Sequence, residues 1–298
     1  MNAPIALFVY NRVDHLRKSV EALRFNDLAD SSILYIFSDA AKSDLDEHSV
    51  KLVREYIKTI KGFDRIIIIE QAENLGLSRS IISGVTLLCR EHGRVIVLED
   101  DIVTSQYFLT YMNDALNMYQ NDQKVMSIHG YKFPIDYELS ETFFLKGANS
   151  WGWATWGNKW SYFEQDGMIL LKMIQDKNLS HEFDVDGTCN YTDMLRDQVL
   201  GKNDSWAIRW RASVFLNDGL TLFPVASHAL NIGHDLTGVH CGISDVYDVV
   251  LATRETLVRR IEVKEDRRAL GALKEYYKKM KPSFSARLAR KIMKFVKS

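Results

Sequence analysis

Glu99, Asp100 and Asp101 stand side by side directly after the apolar run Val95-Ile96-Val97-Leu98. Adjacent carboxylates repel one another unless a cation or a proton relieves them. A hard divalent ion, Mn²⁺ or Mg²⁺, shared with a diphosphate would do so and leave coordination positions for substrate oxygens. The plainer alternative is a solvated acidic turn ahead of a helix near Gln106, capped by Thr104 or Ser105. Other polar groups follow earlier apolar runs: Tyr10-Asn11-Arg12, Ser38-Asp39, and Glu73-Asn74-Leu75-Gly76-Leu77-Ser78-Arg79. Tyr10 can stack on a base, Asp39 can accept from a base or ribose, and Arg12 or Arg79 can meet phosphate with a fork of donors. Each also has an ordinary reading, since Asn11 and Asp39 are common turn residues and most arginines are solvated.

These groups need elements that bring them together. Ile5-Ala6-Leu7-Phe8-Val9 is continuously apolar, and Val13, Leu16, Val20 and Leu23 then fall at helical spacing. The pattern repeats: strand signals at 33–37, 65–70 and 95–98 are separated by helices around Val50 to Ile57 and over 77–92. Strands apolar on both faces, each followed by a helix, predict a doubly wound α/β fold with a parallel sheet. Ligands of such sheets bind beyond the carboxyl ends of the strands, where all the polar groups above would lie. Downstream, the spacing predicts helices over 106–119, 191–200 and 205–216 and strands over 125–129 and 220–224. Residues 150–157, with Gly152 and Gly157 among three tryptophans, read as a turning segment. The expected divisions are a nucleotide-binding half (1–104), an acceptor-side half (105–250) of the same compact body, and a helical C-terminal region (251–298).

The 298 residues carry 38 Lys and Arg against 39 Asp and Glu, a net charge of −1, so bulk charge gives no general attraction to nucleic acid. The neutrality is uneven. Between Leu273 and Ser298, nine basic residues face one acid, a local charge of +8 on an otherwise acidic chain. Phe284, Leu288, Ile292 and Phe295 recur three or four apart among these basic residues, the pattern of an amphipathic helix lying on an anionic membrane surface; packing of that helix on the body is the alternative. Three scattered cysteines form neither a disulfide framework nor a metal clip. With no long apolar run, the expectation is a cytoplasmic protein, peripheral on the inner face of the cell membrane.

The strings Ala3-Pro4-Ile5-Ala6-Leu7-Phe8-Val9-Tyr10-Asn11-Arg12, Glu73-Asn74-Leu75-Gly76-Leu77 and Val97-Leu98-Glu99-Asp100-Asp101 resemble the nucleotide-sugar-dependent glycosyltransferases of the GT-A fold, in particular family-2-like enzymes and the N-acetylglucosaminyltransferase I group. The resemblance covers about the first 160 residues, loosens to about residue 245 and does not reach the tail. It implies a metal on the donor diphosphate held by Asp101, with Asp100 near the ribose or a metal-bound water. The Glu-Asp-Asp order departs from a strict Asp-X-Asp and leaves that division open. It also implies a donor pocket from Tyr10, Asn11, Arg12, Asp39 and Arg79.

An inverting transfer needs a general base on the acceptor side. Asp193, Asp197 and Asp204 are candidates; Asp204 is preferred among them because its place before the predicted helix over 205–216 is similar to that of the acidic residue of many GT-A enzymes, and an ordinary helix N-cap is its equal alternative. Trp151 and Gly152 are the expected sugar contacts, although the tryptophans of this segment could equally pack as core. His234 and His240 lie in the late loop 231–242, and the resemblance implies His240 as a further metal ligand. The expected activity is transfer of a sugar from a nucleoside diphosphate, UDP favoured, to a glycan or lipid-linked glycan in cell-surface polysaccharide synthesis. A sugar nucleotidyltransferase and a silent carbohydrate-binding protein of the same fold are the rivals.

Overall fold

The computed structural model describes residues 2–135, 139–235 and 247–280. Its first part follows the apolar runs: β1 (Ile5–Val9), α1 (Val13–Arg24), β2 (Ile33–Ser38), α2 (Asp44–Ile57), β3 (Arg65–Glu70), α3 (Gly76–His92) and β4 (Arg94–Glu99). Successive strand side chains point to opposite faces. In β1, Ile5, Leu7 and Val9 enter one core while Ala6 and Phe8 enter another, and β2 and β4 divide in the same way. A strand covered on both sides therefore has no position for a polar face, and its sequence is continuously apolar. α1 closes one side by burying Leu16, Val20 and Leu23, each worth about 1.5–3 kcal/mol. α3 ends where Gly93 takes the left-handed conformation at φ 74°, which costs glycine no Cβ clash.

The second part comprises β5 (Ile102–Thr104), α4 (Phe108–Tyr119), β6 (Val125–His129), β7 (Thr142–Lys146), β8 (Trp153–Trp156), α5 (Gly157–Trp160), α6 (Gly167–Asp176), α7 (Ser180–Phe183), α8 (Tyr191–Val199), α9 (Trp206–Leu216), β9 (Leu220–Pro224), β10 (Ala229–Asn231) and α10 (Arg267–Met280). Eight strands form one sheet in the order β3-β2-β1-β4-β8-β6-β9-β7, and β10 pairs with β5 in a second, two-stranded sheet. β3, β2, β1 and β4 are parallel neighbours, as are β6 and β9. β8 runs antiparallel to both β4 and β6, and β7 antiparallel to β9. The protein is thus α/β with a mostly parallel central sheet. α1, α2 and α4 cover one face, and α3, α5 and α9 cover the other.

The expectation for 150–157 needs correction. Gly152 does turn, at φ 63°, but Trp153–Trp156 is a strand bonded on both sides, by β4 and β6. The partners on either side impose the extended chain that four residues between two glycines do not signal. Trp153 and Trp156 are buried, and Trp153 stacks on Trp206 with ring centroids 5.3 Å apart. Of this trio only Trp151 is half-exposed. α4 starts at Phe108 rather than 106, because Ser105 is engaged with His228, Oγ to Nδ1 at 2.7 Å. Cys89 and Cys189 are free thiols. Cys241, His240 and the basic pattern of 284–297 lie outside the described residues. Among the described residues, no helix is long and apolar enough to cross a membrane.

Candidate active site at the carboxyl edge of the sheet

Asp100 and Asp101 form the tight turn between β4 and β5, at the carboxyl end of a central strand. Both are buried. Arg12, in the turn between β1 and α1, reaches across to them: its Nη2 lies 2.5 Å from Asp100 Oδ1 and 2.8 Å from Asp101 Oδ2. Burial alone would lower the Arg12 pKa, but the charges of Asp100 and Asp101 outweigh it and hold the guanidinium more firmly protonated than usual. Burial pushes the Asp100 carboxyl up, with Arg12 opposing. Glu99 is also raised, by burial and then by the charges of Asp101 and Asp100. The relief that neighbouring carboxylates require is supplied here by an arginine from another element. Ser19 Oγ, which donates to the Asp100 carbonyl at 2.8 Å, ties the turn to α1.

The pairing of β10 with β5 brings in a segment from far along the chain. Ile232 N–H donates to the Asp101 carbonyl at 2.9 Å. At Gly233 a Cβ would stand 2.2 Å from Asp101 Oδ2 and 3.1 Å from Arg12 Nη1, so only glycine fits against the ion pair. His234 follows, stacked on Tyr247 at 5.3 Å and edge-on to Trp151 at 5.3 Å. Trp151 also meets Tyr131 and Tyr247 edge to face. Asp235 pairs with His15 of α1 at 3.1 Å. Sequence reading passed over Gly233 and over His234 as a ligand; the signal was present as an Ile-Gly-His-Asp string, but only the β5–β10 pairing sets it beside Asp101.

Asp101 Oδ1 and His234 Nε2 are both buried without a hydrogen-bond partner. A carboxylate oxygen and an imidazole nitrogen are both atom types that can ligate a divalent cation. The mixed donor pair leans to Mn²⁺ over Mg²⁺, which prefers oxygen alone. Among the described residues no group of three His, Cys, Asp or Glu is arranged to hold a metal.

The remaining expected residues stand in different conditions. Asp39 is buried and fully engaged: it accepts from Ala40, Leu75 and Gly76 N–H at 2.8–2.9 Å and from Asn74 Nδ2 at 3.3 Å. It anchors the first turn of α3 to the end of β2, where a negative group also meets the helix dipole favourably. Tyr10 accepts from Lys42 N–H at 3.0 Å, and Asn11 donates to Asp46 at 3.1 Å. Arg79 is exposed on α3. Asp204 is 69% exposed and accepts from Arg209 at 3.2 Å. Arg209 in turn donates to Ser78 Oγ at 2.5 Å, fixing the start of α9 beside the start of α3. The cap of α9 is Ser205, which accepts from Ile208 N–H at 3.2 Å, leaving Asp204 outside the helix. Asp193 and Asp197 pair on α8 and beyond it with Arg196 and Lys202.

Fold and site together define an α/β protein whose mostly parallel sheet carries a buried, arginine-bridged acidic turn at its carboxyl edge. No family model matches the sequence, and no curated protein is similar to it in sequence. Among solved structures, it is similar to the mannosyltransferase PcManGT of Pyrobaculum calidifontis, solved with GDP-Man and Mn²⁺, at 14% identity and TM-score 0.33, over 44% of this chain and 36% of that one. It is also similar to S. aureus TarS, at 10% identity and TM-score 0.41, over 76% of this chain and 36% of that one. The TarS 1-349 structure in complex with UDP gives 10% identity and TM-score 0.41, over 77% of this chain and 60% of that one. The chain thus spans 36 to 60% of the length of these proteins.

Proposed function

We propose that the protein is a GT-A-type glycosyltransferase that moves a sugar from a nucleoside diphosphate to a hydroxyl of a glycan or lipid-linked glycan, with inversion. The observation that carries this reading is the buried Asp100–Asp101 turn, with its one unpartnered carboxylate oxygen, at the carboxyl edge of the sheet. UDP is the favoured carrier on the sequence resemblance, and cell-surface polysaccharide synthesis is the setting that goes with it.

Asp101 and His234 would hold the metal, with donor oxygens completing its coordination; bound there, it would neutralise charge on the departing diphosphate. Arg12 serves first to hold the two acids together, and its remaining N–H donors are available to phosphate oxygens. Tyr10, Asn11 and Arg79 contribute to the donor pocket, while Asp39 shapes it by anchoring the turn before α3. Trp151 offers a half-exposed ring for a sugar face, and Gly152 lets the chain turn beneath it. Asp204 accepts the proton of the attacking hydroxyl, with Arg209 orienting its carboxylate. Attachment to an anionic membrane surface through the basic C-terminal residues is the proposed means of reaching a lipid-linked acceptor.

The test is a thermal-shift screen of nucleotide-sugars with and without Mn²⁺, because a ligand that binds only the folded chain raises its melting temperature. A shift that requires both a nucleotide-sugar and the metal, and that Asp101→Asn abolishes, supports the reading. If no nucleotide-sugar shifts the transition, the reading is wrong; a shift with nucleoside triphosphate and sugar phosphate instead would indicate a nucleotidyltransferase.

A further inference from the structure

Arg211, on α9, is 8% exposed, yet has no carboxylate within 4.0 Å among the described residues. The half-buried Arg12 and the buried Arg209 differ. Arg12 is bridged to two acids and Arg209 to Asp204, Ser78 and two carbonyls. Arg211 makes only two long contacts, from Nη1 to the Ala148 carbonyl and Asn149 Oδ1, both 3.4 Å, and its Nε is buried without a partner. One face of the guanidinium lies 3.9 Å from the centroid of the Tyr191 ring. Gly147, at φ 76°, leaves room against the guanidinium, where a Cβ would come within 3.2 Å of Cζ. Cation–π stacking offsets part of the burial cost, but an always-charged fork of donors still lacks an acceptor.

Arg211 lines a cavity of about 40 Å³, together with Lys146, Asn149, Glu182, Asp186 and Tyr277. Three of the other charges around it are already matched: Lys146 pairs with Glu182 at 2.7 Å and with Asp218 at 3.2 Å, and Asp186 pairs with Lys274. Glu265, also on the wall, accepts from Lys146 N–H at 3.0 Å. The cavity is separate from the acidic turn. Lys146 is in register with Leu220, the first residue of β9, at the sheet edge opposite to the carboxyl ends. Arg211 also lies about 200° around α9 from Arg209.

We infer that this cavity is a second binding site, for a single carboxylate group received by the Arg211 fork. A planar carboxylate matches a guanidinium edge with two parallel hydrogen bonds. A cavity of this size takes one such group and leaves the rest of the molecule outside. Three carboxylates on the wall, Glu182, Asp186 and Glu265, disfavour a phosphate dianion more than a monoanion. The carboxylate can come from a small organic acid or from an acidic sugar such as a uronic acid. This inference is independent of the proposed activity.

The test uses the full chain, at pH 7 and constant ionic strength, with acetate, glucuronate, glucose and sulfate as probes. A saturable rise in melting temperature with acetate and not glucose is expected, with a matching shift of the Arg211 Nε–H resonance, assigned through Arg211→Lys. A rise with glucuronate as well identifies a sugar-borne carboxylate, and acetate alone a small acid. Asn149→Asp places a carboxylate beside Nη1 from within the chain, so this variant should melt higher than the wild type and bind the probes at least about tenfold more weakly. The inference is overturned if no carboxylate shifts either signal, if sulfate does so equally well, or if Asn149→Asp melts lower and leaves probe binding unchanged.

Discussion

Replacing Arg12 by Met keeps the stem and removes the charge that bridges Asp100 and Asp101. The Arg12 side chain is 20% exposed and those of Asp100 and Asp101 are 6% and 11% exposed, so the ion pairs are little screened. Removing one partner of such a buried pair costs about 3–5 kcal/mol, because the charge left behind has lost its counter-charge inside the protein. Here two carboxylates are left together, which puts the expected loss toward the upper part of that range. Urea unfolding at pH 7.5 in EDTA measures it. Since a divalent cation would stand beside the same two acids, adding Mn²⁺ should restore more stability to Arg12→Met than it adds to the wild type. A loss below about 1 kcal/mol in EDTA would refute the view that Arg12 is the counter-charge of the turn. An Mn²⁺ effect equal in the two proteins would refute the view that cation and arginine serve the same acids.

Other outcomes follow from the same geometry. Asp39→Ala leaves the Leu75 and Gly76 N–H groups without their acceptor and should cost about 1–3 kcal/mol, read by urea unfolding; a change under 0.5 kcal/mol would contradict its anchoring role. His228 is buried, with its Nδ1 at Ser105 and its Nε2 at Thr256, and burial lowers its pKa to about 4; His129 is lowered likewise to about 3. Their unfolded forms take up protons near pH 6.5, before the folded forms do, so stability is full above that pH and falls as the pH drops toward 4, by about 3 kcal/mol for each. Unfolding measured from pH 7.5 to 5 checks this, and His228→Gln, which keeps a donor and an acceptor for Ser105 and Thr256, should flatten the slope.

The parallel half of the fold was legible because β1, β2 and β4 are buried on both faces, the half-buried β3 keeps four consecutive isoleucines, and each helix shows its stripe within a dozen residues, as in α1. Strands β5, β8 and β10 were not, since three or four residues carry no periodicity and their extended shape comes from the neighbours they pair with. β7, Thr142-Phe143-Phe144-Leu145-Lys146, carried an aromatic strand signal and was passed over. In the site, the acidic turn announced itself because its chemistry is local. Its counter-charge did not, since Arg12 and Asp100 are 88 residues apart and only the adjacency of β1 and β4 joins them. Arg211 was invisible for a related reason: α9 is buried on nearly every side, and an arginine in sequence gives no sign that its helix is wrapped in protein.

The central claim is that Asp101 makes this chain a metal-dependent user of nucleotide-sugars. Purified protein incubated with a panel of nucleoside diphosphate sugars, with Mn²⁺ or with EDTA, and assayed for released nucleoside diphosphate tests it most directly. Release from one donor with Mn²⁺, lost in EDTA and reduced at least about a hundredfold in Asp101→Asn while that variant unfolds like the wild type, is the predicted result. Release that is unchanged in EDTA and in Asp101→Asn, or none from any donor by the wild type, would contradict it.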